Sequence, residues 1–107
     1  MRQESGIRIL SDFFRGAVGL HILHHAAERG GVHGAWIAQE LRRHGYRLSP
    51  GSLYPTLHRL ESEGLLVSHK EVQAGRSRRV YRATKAGRAA LKGANKALRE
   101  LAEELLG

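Results

Sequence analysis

The stretch from Leu48 to Leu66 reads L-S-P-G-S-L-Y-P-T-L-H-R-L-E-S-E-G-L-L and carries its own start signal, its own stop signal and two chemically different faces. Ser49 is a good N-cap, expected to accept hydrogen bonds from the free N–H groups of a first turn, and Pro50 suits the first helical position. Gly64 is placed to end the helix in a left-handed conformation. Leu53, Leu57 and Leu60 recur at helical spacing and share one stripe. The other side shows Gly51, Ser52, Pro55, His58, Arg59 and Ser62, which are small, polar or basic. A short helix of this kind suits a DNA major groove. An ordinary amphipathic surface helix has the same outline, so its neighbours must decide.

A chain of 107 residues fits one domain with a single modest core. It has no cysteine, which excludes disulfides, thiol catalysis and Cys-ligated zinc. No apolar run approaches the roughly 18 residues that span a bilayer, and the first residues do not resemble a secretory signal. A cytoplasmic location is the expectation, with no membrane partner. The net charge of +8 is unevenly placed. Between Leu65 and Arg88 stand Lys70, Arg76, Arg78, Arg79, Arg82, Lys85 and Arg88 against one acid, Glu71. From Lys92 onward basic and acidic residues balance. A local excess of this kind belongs to a polyanion-facing surface.

Along the chain, a first helix is expected from about Arg8 to Glu28, with Leu10, Phe13, Phe14, Ala17, Val18, Ile22 and Leu23 forming a broad apolar stripe. Gly16 and Gly19 weaken it locally and allow close approach of a neighbour. A second helix runs from about Gly34 to Arg43, with Ile37, Ala38 and Leu41 facing inward. The turn G-Y-R-L then leads into the helix beginning near Ser49, making a helix-turn-helix. Leu65-Leu66-Val67 and Val72, against Val80-Tyr81, flank a four-residue loop A-G-R-S at 74–77, a β-hairpin with a basic tip. Thr84 reads as the N-cap of a last helix reaching Leu106, in which Leu91, Ala94, Leu98, Leu101 and Leu105 follow a 3-4-3-4 spacing. The fold class is therefore mainly α with a small β-hairpin: a winged helix-turn-helix over 1–84, including the N-terminal helix, plus a C-terminal dimerisation helix over 85–107, forming one compact unit.

Four segments resemble the PadR family of bacterial transcriptional regulators, in its short form with a single C-terminal helix. They are H-G-A-W-I at 33–37, L-S-P-G-S-L-Y-P-T-L-H-R-L-E-S-E-G-L at 48–65, R-S-R-R-V-Y-R-A-T at 76–84 and T-K-A-G-R at 84–88. The second is the specific one. The resemblance implies a homodimer built by the first and last helices. It also implies repression through palindromic operators, relieved in some members by phenolic acids or hydrophobic drugs. One departure stands out: the first segment usually has an aromatic directly after its glycine, whereas here Ala35 fills that place and Trp36 follows.

Ser49, Ser52, Tyr54, His58 and Arg59 are the candidate DNA contacts of the third helix. Tyr54, on the flank, can rest its ring on the core and offer its hydroxyl to a phosphate; a purely structural hydrogen bond is the alternative. Arg59 lies late in the helix and fits a phosphate better than a guanine edge. Ser49 can be occupied as a cap. Arg76, Arg78 and Arg79 surround the hairpin tip, where they can reach phosphates or a minor groove, unless the tip is a solvated charged turn. Trp36 is a candidate for stacking on a flat hydrophobic effector, with plain core packing as the alternative. His21, His24 and His25 lie at helical spacing, but His-x-x-x-His without a cysteine or carboxylate motif is weak, and no metal or other cofactor is expected. No catalytic motif is present, and Glu61 and Glu63 do not share a helix face, so an enzyme is not expected. The reading is a homodimeric repressor of double-stranded DNA; the alternative is a protein-interaction module on a winged-helix scaffold without DNA binding, and a third reading is a metal-responsive regulator.

Overall fold

A computed structural model describes the backbone of residues 2–28 and 30–107 and the side chains of residues 6–28 and 30–107. The order is α1 (Arg2–Glu28), β1 (Val32–His33), α2 (Gly34–Arg43), α3 (Pro50–Ser62), β2 (Leu66–Gln73), β3 (Arg76–Ala83) and α4 (Lys85–Leu106). This is the expected sequence of helices around a hairpin, with one addition. The dipeptide β1 pairs antiparallel with β3 and completes a sheet in the order β1-β3-β2, Val32 opposite Tyr81 and His33 opposite Val80. Two residues are too few to show a period-2 pattern, so this strand exists only because β3 offers it an edge.

One core holds the elements together. Val18, Ile22, Leu23 and Ala26 of α1, Ile37 and Leu41 of α2, Leu53, Leu57 and Leu60 of α3, and Leu66, Tyr81 and Ala83 of the sheet bury together with Val32. The leucine stripe read in α3 is thus its core face. Both α2 and α3 end alike: Gly45 and Gly64 take φ of 90° and 79°, and their N–H groups donate to Arg42 O and Glu61 O. Tyr46 N and Leu65 N then reach back to Leu41 O and Leu60 O, which completes the Schellman pattern at each end.

Three expectations need correction. α1 begins at Arg2 rather than Arg8, and residues 6–16 are all exposed, because the body of the chain covers only the later half of the helix. Leu10, Phe13 and Phe14 therefore lie outside the core that takes Val18, Ile22 and Leu23, and among the described residues nothing beyond the helix's own neighbouring backbone comes within 4 Å of a Cβ position at Gly16 or Gly19. The hairpin loop has two residues, not four. Ala74 and Gly75 both have positive φ (52° and 77°), as a type I′ turn requires, and Arg76 is already in the ladder opposite Gln73. Finally, Ser49 occupies the N-cap position with extended backbone, but its side chain makes no capping bond; its carbonyl accepts from Ser52 N and Leu53 N instead.

Thr84 does cap α4: its Oγ1 accepts from Gly87 N at 3.0 Å and donates to Gly64 O at 2.6 Å, joining the ends of α3 and β3. Beyond this anchor α4 is mostly uncovered. Gly87 is its one buried residue, while Leu98, Leu101 and Leu105 are exposed.

Candidate nucleic-acid interface

With Leu53, Leu57 and Leu60 turned inward, helical geometry (about 100° per residue) sends Gly51, Pro55, His58 and Ser62 to the opposite side of α3. All four are exposed. The remaining candidates divide between the two flanks. Ser52 and Arg59 lie on the flank facing α1 and the turn before α3, where they line a groove with Phe14, Tyr46 and Leu48. Tyr54 lies on the flank facing the hairpin, and His58 joins it there in lining a groove with Arg79 and Tyr81. Ser49 and Ser52 are linked at the head of the helix, Oγ to Oγ at 3.5 Å. Arg59 stands 3.9 Å from Glu63 and remains half exposed, which leaves its guanidinium accessible.

Tyr54 is the hinge between helix and wing. Its ring passes over the first residue of α2, and a Cβ on Gly34 would come within 3.3 Å of it. The phenol nevertheless stays half exposed, bordered by Arg78 in one groove and Arg79 in another. The three wing arginines are exposed. Arg79 differs from the others in being held. Its guanidinium donates to Ser68 Oγ at 3.0 Å, and Ser68 Oγ donates to Glu61 Oε2 at 2.8 Å, so β2, β3 and α3 share one polar chain. Tyr81 pairs with Ser68 across the ladder and is buried. Burial raises its phenol pKa above the usual 10.0, Glu61 adds to the effect, and Arg79 opposes it.

Sequence reasoning missed the Glu61–Ser68–Arg79 link, because three residues on three elements share no spacing. A partial signal was available in the ladder: Ser68 pairs with Tyr81 and Lys70 with Arg79, which places Arg79 diagonally beside Ser68 on one sheet face.

Trp36 lies half-buried against the core, edge-on to His25 with ring centroids 5.2 Å apart, and it also lines the groove that holds Tyr54 and Arg78. His25 belongs to a cluster on the far side, where His21 stacks at 6.3 Å from it and 4.7 Å from His44. Burial pushes the His21 pKa below 6.5, the neighbouring His44, His25 and His24 add to this, and Glu40 opposes it.

A helix-turn-helix with an exposed third helix and a basic two-stranded wing beside it is a DNA-binding architecture. The Transcriptional regulator PadR-like family matches residues 22–93, which span α1 from Ile22 to the middle of α4. The chain belongs to the PadR family. Over 98 residues it is 67% identical to the Transcriptional regulator Rv3488 of Mycobacterium tuberculosis (strain ATCC 25618 / H37Rv), covering 92% of this chain and 91% of that one. Among solved structures, a PadR family transcriptional regulator from Eggerthella lenta DSM 2243 superposes with a TM-score of 0.78 at 25% identity, over 97% of this chain and 91% of the other. A transcriptional regulator from Thermoplasma acidophilum, TA0346, matches with a TM-score of 0.68 at 27% identity, over 89% and 93%.

As a PadR-type protein the chain is a DNA-binding transcriptional regulator and not an enzyme. The PadR match contains α2, α3 and the whole wing, so the surface assembled around Tyr54 lies entirely inside it. Among the described residues no helix is long and apolar enough to cross a membrane.

Proposed function

We propose that this protein is a cytoplasmic, sequence-specific repressor that binds a palindromic operator as a homodimer. Residues 1–84 form the DNA-binding winged helix and residues 85–107 the dimerisation helix. The observation that carries the reading is the meeting of the α3 outer face and the wing arginines around one half-exposed residue, Tyr54. α3 enters the major groove, with Ser52 and His58 nearest the base edges and Ser49 at its entrance. Tyr54, Arg59, Arg76, Arg78 and Arg79 take phosphates on either side, a division that separates positioning from readout.

The dimer follows from what the single chain leaves uncovered. Phe13 is 57% exposed and Leu105 71% exposed, and each lies in a row with further large apolar neighbours: Leu10 and Phe14 on α1, Leu98 and Leu101 on α4. A second copy covers both rows by twofold symmetry and sets two recognition helices for two half-sites. A flat, hydrophobic effector stacked on Trp36 would release the repressor, by acting on the helix that supports Tyr54.

Mobility shift against the DNA upstream of the protein's own gene tests the reading, with sedimentation to give the oligomeric state. A sequence-selective shift by a dimer is expected, weakening steeply with salt. A monomer that ignores every duplex but captures an acidic protein would support an interaction module instead. Quenching of Trp36 fluorescence across a panel of phenolic and drug-like compounds tests the effector; no response leaves Trp36 a packing residue.

A further inference from the structure

The sequence places His21, His24 and His25 on one helix, which is a weak metal signal. The fold adds what the helix lacks. His44, at the C-terminal cap of α2, swings against His21, so that His21, His25 and His44 each present a ring nitrogen within 4.8 Å of the others. Glu40, one turn earlier on α2, brings a carboxylate oxygen to 3.3 Å from His44 Nε2 and 3.5 Å from His25 Nε2.

The chemistry of His25 distinguishes this cluster from an ordinary polar seam. Both its ring nitrogens are buried and neither has a hydrogen-bond partner. The carboxylates of Glu28 and Glu40 stand 3.5 Å away, outside hydrogen-bond geometry. Buried polar atoms in folded proteins are nearly always satisfied, so an unsatisfied pair facing two other imidazoles and a carboxylate calls for a missing partner. A lone-pair acceptor fits this place, because each neutral imidazole offers one lone-pair nitrogen and the Glu40 carboxylate can add an oxygen.

We propose that His21, His25 and His44, with Glu40 beside them, form a site for a divalent transition-metal ion such as zinc. Three imidazoles and one carboxylate match the ligand preferences of zinc, cobalt and nickel. A tetrahedral zinc holds its nitrogens ~3.4 Å apart, given Zn–N bonds of about 2.0–2.1 Å. The ring nitrogens, within 4.8 Å of one another, must therefore close by at most about 1.4 Å, through rotation of the three histidine side chains. The second histidine-rich group, His24, His25 and Glu28, lies along α1 alone and shares only His25 with the site. The proposed ion instead ties α1 to the end of α2, immediately before the turn that leads to α3. The inference is independent of the DNA reading and stands or falls separately.

The test uses the full chain without an affinity tag. Zinc is titrated against a chromophoric chelator, cobalt absorption reports the coordination geometry, and nickel quenching of Trp36, the only tryptophan, reports proximity through His25. One ion per chain is expected, with a tetrahedral cobalt spectrum. His21→Asn and His44→Asn should each weaken zinc by more than about tenfold, while His24→Asn leaves it unchanged. Metal-free thermal melts of His44→Asn, an exposed position, confirm that the variant is folded. The proposal is overturned if neither zinc nor cobalt binds stoichiometrically. It is equally overturned if His44→Asn binds like the parent, or if His24→Asn loses as much as His44→Asn, which would put the ion on the outer face of α1.

Discussion

Gly87 lies so close to Leu65 that a Cβ added to it would collide with the Leu65 carbonyl oxygen. That same oxygen accepts from Thr84 N at 3.1 Å, so the first turn of α4 is pressed onto the strand entering the wing. Because the obstacle is backbone, it cannot rotate aside. Gly87→Ala should therefore lose about 1–3 kcal/mol of stability in urea unfolding, the usual range for overpacking. Gly93→Ala, on the same helix with nothing within 4 Å, should instead gain up to about 1 kcal/mol from helix propensity. Equal behaviour of the two would show that the contact with Leu65 does not govern the docking of α4.

The wing turn offers a gain rather than a loss. Ala74 holds φ at 52°, a left-handed conformation that costs an L-residue roughly 1–2 kcal/mol. Ala74→Asn or Ala74→Gly relieves that strain and creates the residue pair favoured in type I′ turns. Either change should raise the unfolding midpoint, and Gly75→Ala should lower it by about 1 kcal/mol or more.

The wing arginines should separate by their attachments. Arg76→Ala and Arg78→Ala each remove an exposed charge and should reduce the slope of log affinity against log salt by about 1, with stability unchanged within about 0.5 kcal/mol. Arg79→Ala should reduce the slope similarly and also cost measurable stability, because it strips the donor from Ser68 and slackens the link to Glu61. Ser68→Ala serves as the control: it should cost stability without altering the salt slope.

The α3 core stripe, the glycine terminations and the Thr84 cap are local, and each was legible because it depends on neighbours within one or two turns. What escaped depends on distant partners. β1 needs the edge of β3, the Ser68 bridge needs three elements at once, and His44 meets His21 only after α2 packs on α1. The hairpin turn, two residues where the sequence suggests four, escapes for a related reason. Ala74 has no preference for positive φ, and the ladder imposes that conformation from Gln73 and Arg76 on either side. Of the candidate surface, the residue types were readable, but not the division of Ser52 and Arg59 from Tyr54 and His58 on opposite flanks.

Tyr81 supplies the pH dependence. Its phenol is neutral while protonated, and burial, assisted by the charge of Glu61, raises its pKa above 10.0 in the folded chain. The folded state thus keeps a proton that the unfolded chain has released. By linkage this contribution is fully present below pH 10.0 and is lost as pH rises through the raised folded value. Urea midpoints should therefore fall as pH rises beyond about 10. Tyr81→Phe should remove part of that fall while keeping the ring that packs among Val32, Leu66 and Ala83. The variant should leave the salt dependence of DNA binding as it was; a changed slope would mean that Tyr81 helps to aim Arg79, whose guanidinium is held by Ser68.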